Sequence, residues 1–313
     1  MTLTRSPQAQ HIRNDDQFAE LDARNSPSNR RYSMQKSGSR LARSGLAALS
    51  DLGTTEWREL FEVLQAEQDL FLQKESEFRS HEYKWPRDPL NNWSRRWEYP
   101  YVYHHLRQTA SRASSRELFA VLDVGSGVTF FPFALAKLGM HVSCVDTDTV
   151  AERDIKRAIG LVPHQPGKID FVLADGDTLP FPDGTVDAVY CISVLEHVPD
   201  PSKVAVEIAR VLKPGGLFVL TIDLDTSGML EIDPAGHARL YDTILEHFDY
   251  LCPERTVHPA DVLGPYGSIA SSRERLAWMC WYHLKQYVLK PIFGKTPVPI
   301  QCLAIQAFVL TKR

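Results

Sequence analysis

Short apolar runs and amphipathic stretches alternate along the middle of the chain, from Leu118 to Ile222. The first apolar run, at 118–122, is followed at once by a turn and by a helix-like apolar segment at 130–138. Short continuous apolar runs are typical of buried strands, and their alternation with helical segments favours a parallel sheet with helices on both faces. The pattern therefore predicts an α/β fold that is doubly wound and mostly parallel.

The segments on either side of this alternation have other patterns. Thr54 to Phe78 predicts an amphipathic helix that Thr54 can cap, and an aromatic stretch follows from Tyr83 to His105. Beyond the alternation we expect two helices, at about 235–248 and 272–289, and then a terminal strand at 302–311. The aromatic side chains of the stretch could pack the N-terminal helices onto the sheet, or they could stack on a substrate.

These patterns divide the chain into segments with different expected roles. Residues 1–44 are expected to be mobile, and residues 45–116 to form a helical, aromatic-rich cap segment. Residues 117–313 are expected to form the α/β domain. Within that domain, residues 223–298 are expected to form a long insertion before the last strand that contributes to a substrate cap.

Composition narrows the function classes without deciding between them. The chain has 313 residues, 43% of them hydrophobic, and a net charge of −4, which does not suggest a nucleic-acid partner for the chain as a whole. The first 50 residues hold 8 Lys and Arg against 4 Asp and Glu. No apolar run reaches the ~18–20 residues that cross a bilayer, and no secretory signal opens the chain, so no membrane partner is expected. Five scattered cysteines favour reduced thiols in a cytoplasm.

The turn after the first strand carries the most specific chemistry. Asp123 is followed by Gly125 and Gly127, and glycines let a backbone pass close to a ligand where a Cβ would collide. A dinucleotide site would want a third glycine at position 130, which is Phe130. The carboxylate repels phosphate but accepts hydrogen bonds from an ammonium or hydroxyl group. The turn therefore suits a positively charged nucleoside without phosphate.

Five segments in order resemble the motifs of class I S-adenosylmethionine-dependent methyltransferases of the type 11 kind. They are Val121-Leu-Asp-Val-Gly-Ser-Gly-Val-Thr129, His141-Val-Ser-Cys-Val-Asp146, Asp175-Gly-Asp-Thr-Leu-Pro-Phe181, Asp187-Ala-Val-Tyr-Cys-Ile-Ser-Val-Leu-Glu-His-Val198 and Val211-Leu-Lys-Pro-Gly-Gly216. The resemblance covers about 118–222. It implies a Rossmann-like sheet of seven strands, closed by an antiparallel hairpin, and S-adenosyl-L-methionine as cofactor.

The resemblance also implies which residues hold the cofactor. Asp146 would take the ribose hydroxyls, with a helix N-cap as the alternative role for this residue. Asp175 would accept the adenine amino group, and the amide of Gly176 would meet the ring. The full set of expected cofactor-binding residues is Asp123, Gly125, Ser126, Gly127, Asp146, Thr147, Asp175, Gly176 and Cys191.

Catalysis is expected from His197 and Asp223, both near the carboxyl edge of the sheet. A hydroxyl acceptor usually needs a general base, and histidine is the leading type; the alternative for His197 is a structural role in its loop. Some family members place a metal-binding Glu where this chain has Ser193, so no metal is expected here. The weaker candidates, with structural roles as alternatives, are His104, His105, Asp225, His258 and Asp261.

These observations predict an enzyme that methylates a small or medium-sized metabolite, most readily at oxygen. N- or C-methylation on the same fold stays open, as do a macromolecular substrate and a non-catalytic binding module. A nicotinamide-dependent oxidoreductase is disfavoured by Asp123 and Phe130. The sequence leaves the acceptor and the oligomeric state undetermined.

Overall fold

A computed structural model describes residues 38–85, 87, 89–112, 118–176, 178–225, 232–265, 267–268, 280–294 and 303–313. Most of the segment expected to be mobile, residues 1–37, lies outside these ranges. Residues 41–44, at the end of that segment, pack against the sheet, where Leu41 is fully buried and Ser44 begins a strand.

The main sheet contains nine strands of the described residues, in the order β4-β3-β2-β5-β6-β11-β1-β8, with β7 also paired to β11. Their bounds are β1 Ser44–Leu46, β2 Ala120–Val124, β3 His141–Asp146, β4 Lys168–Leu173, β5 Val186–Ile192, β6 Leu212–Asp225, β7 Phe248–Tyr250, β8 Glu254–Arg255 and β11 Leu303–Lys312. β9 Leu263–Gly264 and β10 Gly267–Ser268 form a separate two-stranded ribbon. Strands β2 to β6 pair with one another only in parallel, as the alternating pattern predicted.

The expected number of seven strands is wrong by two. Strands β2–β7 and β11 account for seven, and β11 runs antiparallel to both β6 and β7. The ten-residue β11 is longer than β7, so β7 pairs with only part of the outer edge of β11. Residues 45 and 46 of β1 pair with another part of that edge, and β8 pairs with β1. An open strand edge presents unpaired backbone donors and acceptors, and short segments from the cap and the insertion satisfy them here.

Helices cover both faces of the sheet. They are α1 Thr55–Leu72, α2 Glu75–Phe78, α3 Arg95–Arg112, α4 Phe131–Ala136, α5 Thr149–Leu161, α6 Pro201–Val211, α7 Pro234–His247, a π-helix at Leu284–Leu289 and α8 Lys290–Ile292, with 3₁₀ turns at Leu49–Gly53, Pro89–Asn91, Leu195–His197 and Pro259–Asp261. Buried residues of α4 and α5 share one core with α1 and α3, and those of α6 and α7 share a second core on the other face. The doubly wound prediction is therefore confirmed.

Several predicted helix boundaries are set by the caps that the sequence indicated. The Thr54 hydroxyl accepts the Trp57 amide at 3.1 Å and opens α1. Asp200 accepts the Lys203 amide at 3.2 Å at the start of α6, where Pro201 is the first helical residue. The predicted helix at 235–248 is α7. The predicted helix at 272–289 falls partly outside the described residues, which are helical from 280.

The cap segment is attached to the sheet through a buried polar cluster. Asp51 is fully buried, pairs with Arg43, and accepts the Trp97 indole N–H at 3.0 Å. Trp97 stacks on Tyr101, whose hydroxyl donates to the Arg43 carbonyl. Because this cluster ties α3 to the chain beside β1, it fixes the position of α3 above the sheet.

Candidate functional site

The glycine turn after β2 lies at the carboxyl edge of the sheet, and its conformation requires glycine. Gly125 and Gly127 have φ angles of +73° and +53°, in the left-handed region that L side chains rarely adopt. A Cβ on Gly125 would lie 2.5 Å from a methyl carbon of Val194, and a Cβ on Gly127 would lie 2.9 Å from the Tyr83 hydroxyl. The turn is therefore packed from both sides.

Asp146 ends β3 beside this turn. One of its carboxylate oxygens, Oδ2, accepts the Gly127 amide at 2.8 Å, and Oδ1 accepts the amides of Thr147 and Asp148 at 2.8 and 3.0 Å. The helix cap that was the alternative role belongs to Asp148, whose Oδ1 accepts the Val150 amide at 2.7 Å. A carboxylate oxygen accepts about two hydrogen bonds, so Oδ2 has room for one more donor.

Asp123 is almost completely buried at the end of β2. Burial raises the pKa of its carboxyl to about 8, and the neighbouring Tyr190 hydroxyl acts in the opposite direction. Burial likewise raises the pKa of Tyr190 well above its usual range, with the nearby Asp123 charge adding to the effect. A buried carboxyl of this kind favours a ligand that brings a positive charge or hydrogen-bond donors.

A cavity of about 380 Å³ opens above these strand ends. On one side, which we call the sheet wall, it is lined by Asp123, Gly125, Ser126, Gly127, Asp146, Thr147, Gly176, Tyr190, Ile192, Ser193 and His197. On the other side, which we call the cap wall, it is lined by Tyr83, Trp85, Asn92, Arg95 and Tyr99. Most of the residues that the sequence predicted for the cofactor therefore meet around one cavity.

Two predicted cofactor residues do not line the cavity. Asp175 is exposed, and its Oδ1 accepts the Thr178 amide at 3.0 Å in the turn after β4. Cys191 is fully buried on the face of β5 opposite to Tyr190 and Ile192, which do line the cavity. The assignment of Cys191 overlooked the alternation of side chains along a strand.

Tyr83 of the cap wall and the nearby Arg79 both bind the backbone beside the glycine turn. The Tyr83 hydroxyl accepts the Val128 amide at 2.9 Å, and Arg79 Nη2 donates to the Val128 carbonyl at 3.1 Å. The Arg79 guanidinium also lies 4.6 Å from the centre of the Tyr83 ring. The aromatic stretch therefore contributes both to the core and to the cavity. Trp97 and Tyr101 are core residues, whereas Tyr83, Trp85 and Tyr99 line the cavity.

A second contact between the walls joins α3 to the end of β5. Arg95 Nη1 donates to the Glu98 carboxylate and, at 2.6 Å, to Ser193 Oγ, which itself donates to Glu98 Oε1 at 2.7 Å. Ser193 has a φ of 46°, which is uncommon for a residue with a side chain. Burial lowers the pKa of Arg95, but the charge of Glu98 and its hydrogen bond have a larger opposite effect. The pKa of Arg95 therefore lies above its usual range.

The two predicted catalytic residues differ in their relation to the cavity. His197 lies in the 3₁₀ turn after β5 and lines the cavity. Asp223 does not line it, and pairing of Ile305 with Asp223 and of Leu303 with Asp225 places both acids within β6. The Asp223 amide donates at 2.9 Å to Glu196, a carboxyl whose pKa is raised well above its usual range by burial and by the Asp223 charge.

Four of the weaker catalytic candidates, three histidines and one aspartate, make structural contacts. His104 lies 3.1 Å from Glu56, and His105 Nε2 lies 2.9 Å from the Leu41 carbonyl oxygen, with both rings buried in α3. Burial lowers the pKa of His105 to about 3. His258 caps the turn at Pro259–Asp261, and Asp261 accepts the amide and hydroxyl of Ser50. None of these four residues lines the cavity in the described part of the chain.

Sequence reasoning missed Asn92, Arg95 and Glu98. The signal available was a charged pair, three residues apart, inside an otherwise aromatic stretch. That spacing is common on exposed helix surfaces. Nothing in it indicates the contact with Ser193, which lies 98 residues further along the chain than Arg95.

Comparison with known proteins agrees with the cavity and its motifs. Residues 122–220 match the family model described as "Methyltransferase domain". The matched segment is about a third of the chain. The chain is 42% identical over 101 residues to an "uncharacterized methyltransferase" of Mycobacterium sp. (strain JLS), which covers 32% of this chain and 37% of that protein.

A second relative has the same description. The "uncharacterized methyltransferase" of Mycolicibacterium gilvum (strain PYR-GCK) is 37% identical over 112 residues, which is 36% of this chain and 42% of the relative. The chain thus spans less than half the length of these curated relatives. A solved SAM-dependent methyltransferase from Aquifex aeolicus aligns with 44% of this chain and 78% of its own, at 18% identity and a TM-score of 0.35.

In the described part of the chain, no helix combines the length and apolar character needed to span a membrane.

Proposed function

We propose that this chain is an S-adenosylmethionine-dependent methyltransferase that methylates an oxygen of a small or medium-sized metabolite. The observation that carries the proposal is the glycine turn, flanked by the carboxyls of Asp123 and Asp146, at the floor of one cavity. These residues occupy the carboxyl edge of a parallel sheet, where such folds bind their ligands.

The residues fit the cofactor that the family implies. Gly125 and Gly127 leave space that a Cβ would fill, and Asp146 Oδ2 has capacity for a ribose hydroxyl. The sheet wall carries the Asp146 carboxylate and the buried Asp123 carboxyl, and no Lys or Arg stands on its described lining, which suits a sulfonium and an ammonium group and disfavours a pyrophosphate. This charge pattern argues against a nicotinamide dinucleotide.

S-adenosylmethionine, when bound, supplies a methyl group already activated by the sulfonium. The protein then has to align the acceptor and exclude water, a task for which the cap wall and its aromatic rings are suited. For a hydroxyl acceptor, His197 is the residue on the cavity that we assign as general base. Asp223 is not part of this proposal, since it does not line the cavity.

The first experiment is a calorimetric titration with S-adenosylhomocysteine of the full chain, of Asp146→Ala and of Asp148→Ala. We expect micromolar binding that Asp146→Ala weakens by about 1.5 kcal/mol or more, because hydrogen bonds to a charged group are lost. Asp148→Ala is the matched control, since it removes a helix cap two residues away without touching the cavity. Absence of binding by folded wild-type protein would reject the cofactor.

The acceptor is tested with methyl-labelled S-adenosylmethionine and fractionated metabolite extracts. We expect label in small molecules, and we expect His197→Ala to slow transfer to a hydroxyl acceptor more at pH 6 than at pH 9, where hydroxyl groups ionise more readily without a base. Normal cofactor binding without transfer to any pool would leave a binding module as the better description. Transfer confined to protein or RNA would overturn the small-molecule part.

A further inference from the structure

Arg95 stands apart from the other charged residues of the cavity. It lies at the start of α3, and the described cavity lining has no other Arg or Lys, whereas it has the carboxyl groups of Asp123, Asp146 and Glu207. A guanidinium keeps its charge at all physiological pH values. The cap wall thus places a permanent cation opposite an acidic sheet wall.

The guanidinium is held in place through one of its nitrogens. Nη1 donates to Glu98, to Ser193 and, at 3.3 Å, to the Ser94 hydroxyl. Glu98 is fully buried and accepts from Arg95 and Ser193 at the same time, so it cannot turn away without leaving both donors unpaired. The orientation of the Arg95 side chain is therefore fixed before any ligand arrives.

The other nitrogens keep their hydrogen-bonding capacity. Nε and Nη2 donate to no residue in the described part of the chain, while about a fifth of the side chain remains accessible. A guanidinium presents its N–H groups as a rigid planar fork that matches the two oxygens of a carboxylate. A half-buried fork with unused donors at a cavity wall has the geometry of an oxyanion-binding group.

Charge limits the kind of anion. Glu98 already balances much of the Arg95 charge, and the cavity also contains the acids Asp146 and Glu207. A phosphate monoester would bring nearly two negative charges toward these acids, which a single guanidinium cannot offset. A carboxylate brings only one negative charge, and its planar pair of oxygens matches the guanidinium fork.

We propose that Arg95 binds a carboxylate at the cap end of the cavity. The carboxylate belongs either to the amino-acid part of the cofactor or to the methyl acceptor. This inference rests on the proposed function, because it assumes that both molecules occupy this cavity. Glu98 and Ser193 act as positioning residues for Arg95.

The test compares ligands with and without a carboxylate. S-adenosylhomocysteine and 5′-methylthioadenosine, which lacks the amino-acid portion, are titrated calorimetrically into wild type, Arg95→Gln and Arg96→Gln. Benzoate and its neutral analogue benzamide are titrated into the same proteins, both alone and saturated with S-adenosylhomocysteine. Arg96→Gln is the matched control, since Arg96 is an exposed neighbour on α3 that does not line the cavity.

We expect Arg95→Gln to weaken one carboxylate ligand by about tenfold or more and to leave 5′-methylthioadenosine within twofold. Loss for S-adenosylhomocysteine assigns the carboxylate to the cofactor, and loss for benzoate alone assigns it to the acceptor. Equal losses for S-adenosylhomocysteine and 5′-methylthioadenosine, or no loss for either carboxylate ligand, would overturn the proposal.

Removal of Arg95 could disturb α3, because Glu98 would lose a partner. Arg95→Lys retains the charge without the fork, and we expect a smaller but measurable loss for the same carboxylate ligand. If wild type binds neither nucleoside, the proposed function fails. The benzoate titration into the protein alone then still decides whether Arg95 binds a carboxylate.

Discussion

The two walls of the cavity present different kinds of groups to a ligand. The sheet wall consists largely of backbone turns and acids at strand ends, with its glycines fixed by their φ angles and by neighbours such as Val194. The cap wall consists of side chains that project from α3 and the loop before it. Backbone recognition constrains the fold itself, whereas side chains can change without altering it. Under the proposed function, the sheet wall would therefore bind the cofactor, and acceptor specificity is expected in the cap wall.

The walls are joined at two points that differ in chemistry. Tyr83 and Arg79 hold the glycine turn through the backbone of Val128, and Arg95 holds Ser193 at the end of β5. The first contact is made to a peptide group and is independent of the side chain at that position. The second depends on a serine side chain and responds to sequence changes in either wall. Variants in the two walls should therefore have distinguishable effects.

The largest effect is expected for Gly125→Ala in the sheet wall. The new Cβ would lie 2.5 Å from Val194 Cγ2 in a left-handed conformation, so strain and overpacking together should cost about 2–4 kcal/mol of unfolding free energy. Calorimetry should also show lost affinity for S-adenosylhomocysteine. Gly139→Ala is the matched control, because its φ is +87° but its Cβ would meet no atom within 4 Å. Equal results for the two variants would contradict the packed-turn interpretation.

An intermediate effect is expected for Asp123→Asn and depends on pH. The folded state keeps the Asp123 carboxyl protonated up to a pKa of about 8, whereas the unfolded chain releases that proton near 3.8. The unfolding free energy of the wild type should therefore fall as pH rises from about 4 to 8, by roughly 2 kcal/mol between pH 5 and 6.5. Asp123→Asn cannot ionise and should lack this contribution.

Urea unfolding of wild type, Asp123→Asn and Asp69→Asn at pH 5, 6.5 and 8 measures that difference. Asp69 is exposed on α1, so its variant should follow the wild type at each pH. If Asp123→Asn runs parallel to the wild type across this range, burial does not hold a proton on Asp123 in the empty cavity. The sheet wall would then be permanently anionic there.

The sheet wall was largely predictable from sequence, for a physical reason. A parallel strand, a glycine turn and a helix are contiguous in the chain, so Asp123 and Gly125 follow from local pattern, and the resemblance adds Asp146 at the end of the next strand. The length of β6 was harder to predict, because pairing with β11, about 80 residues away along the chain, extends this strand to Asp225. The two additional strands were missed because β1 and β8 are too short to have a pattern of their own.

The cap wall could not be predicted in this way. Helix α1 and its Thr54 cap follow from local spacing, but the role of Arg95 depends on Ser193, and that of Tyr83 depends on Val128. Such contacts arise only when α3 packs over the carboxyl edge of the sheet. An aromatic stretch indicates burial, and it does not indicate which rings face a cavity.

The smallest effect is expected for Tyr83→Phe in the cap wall. The hydroxyl accepts the buried Val128 amide, and its removal leaves that N–H without its partner, at a cost of about 1 kcal/mol. Tyr103→Phe is the matched control, because Tyr103 is also buried but its hydroxyl bonds to no residue in the described part of the chain. Urea unfolding and S-adenosylhomocysteine titration should show a loss for Tyr83→Phe alone. A loss in stability without a loss in affinity would mean that the cap wall is attached through Tyr83 without shaping the glycine turn, and the two walls would be energetically independent.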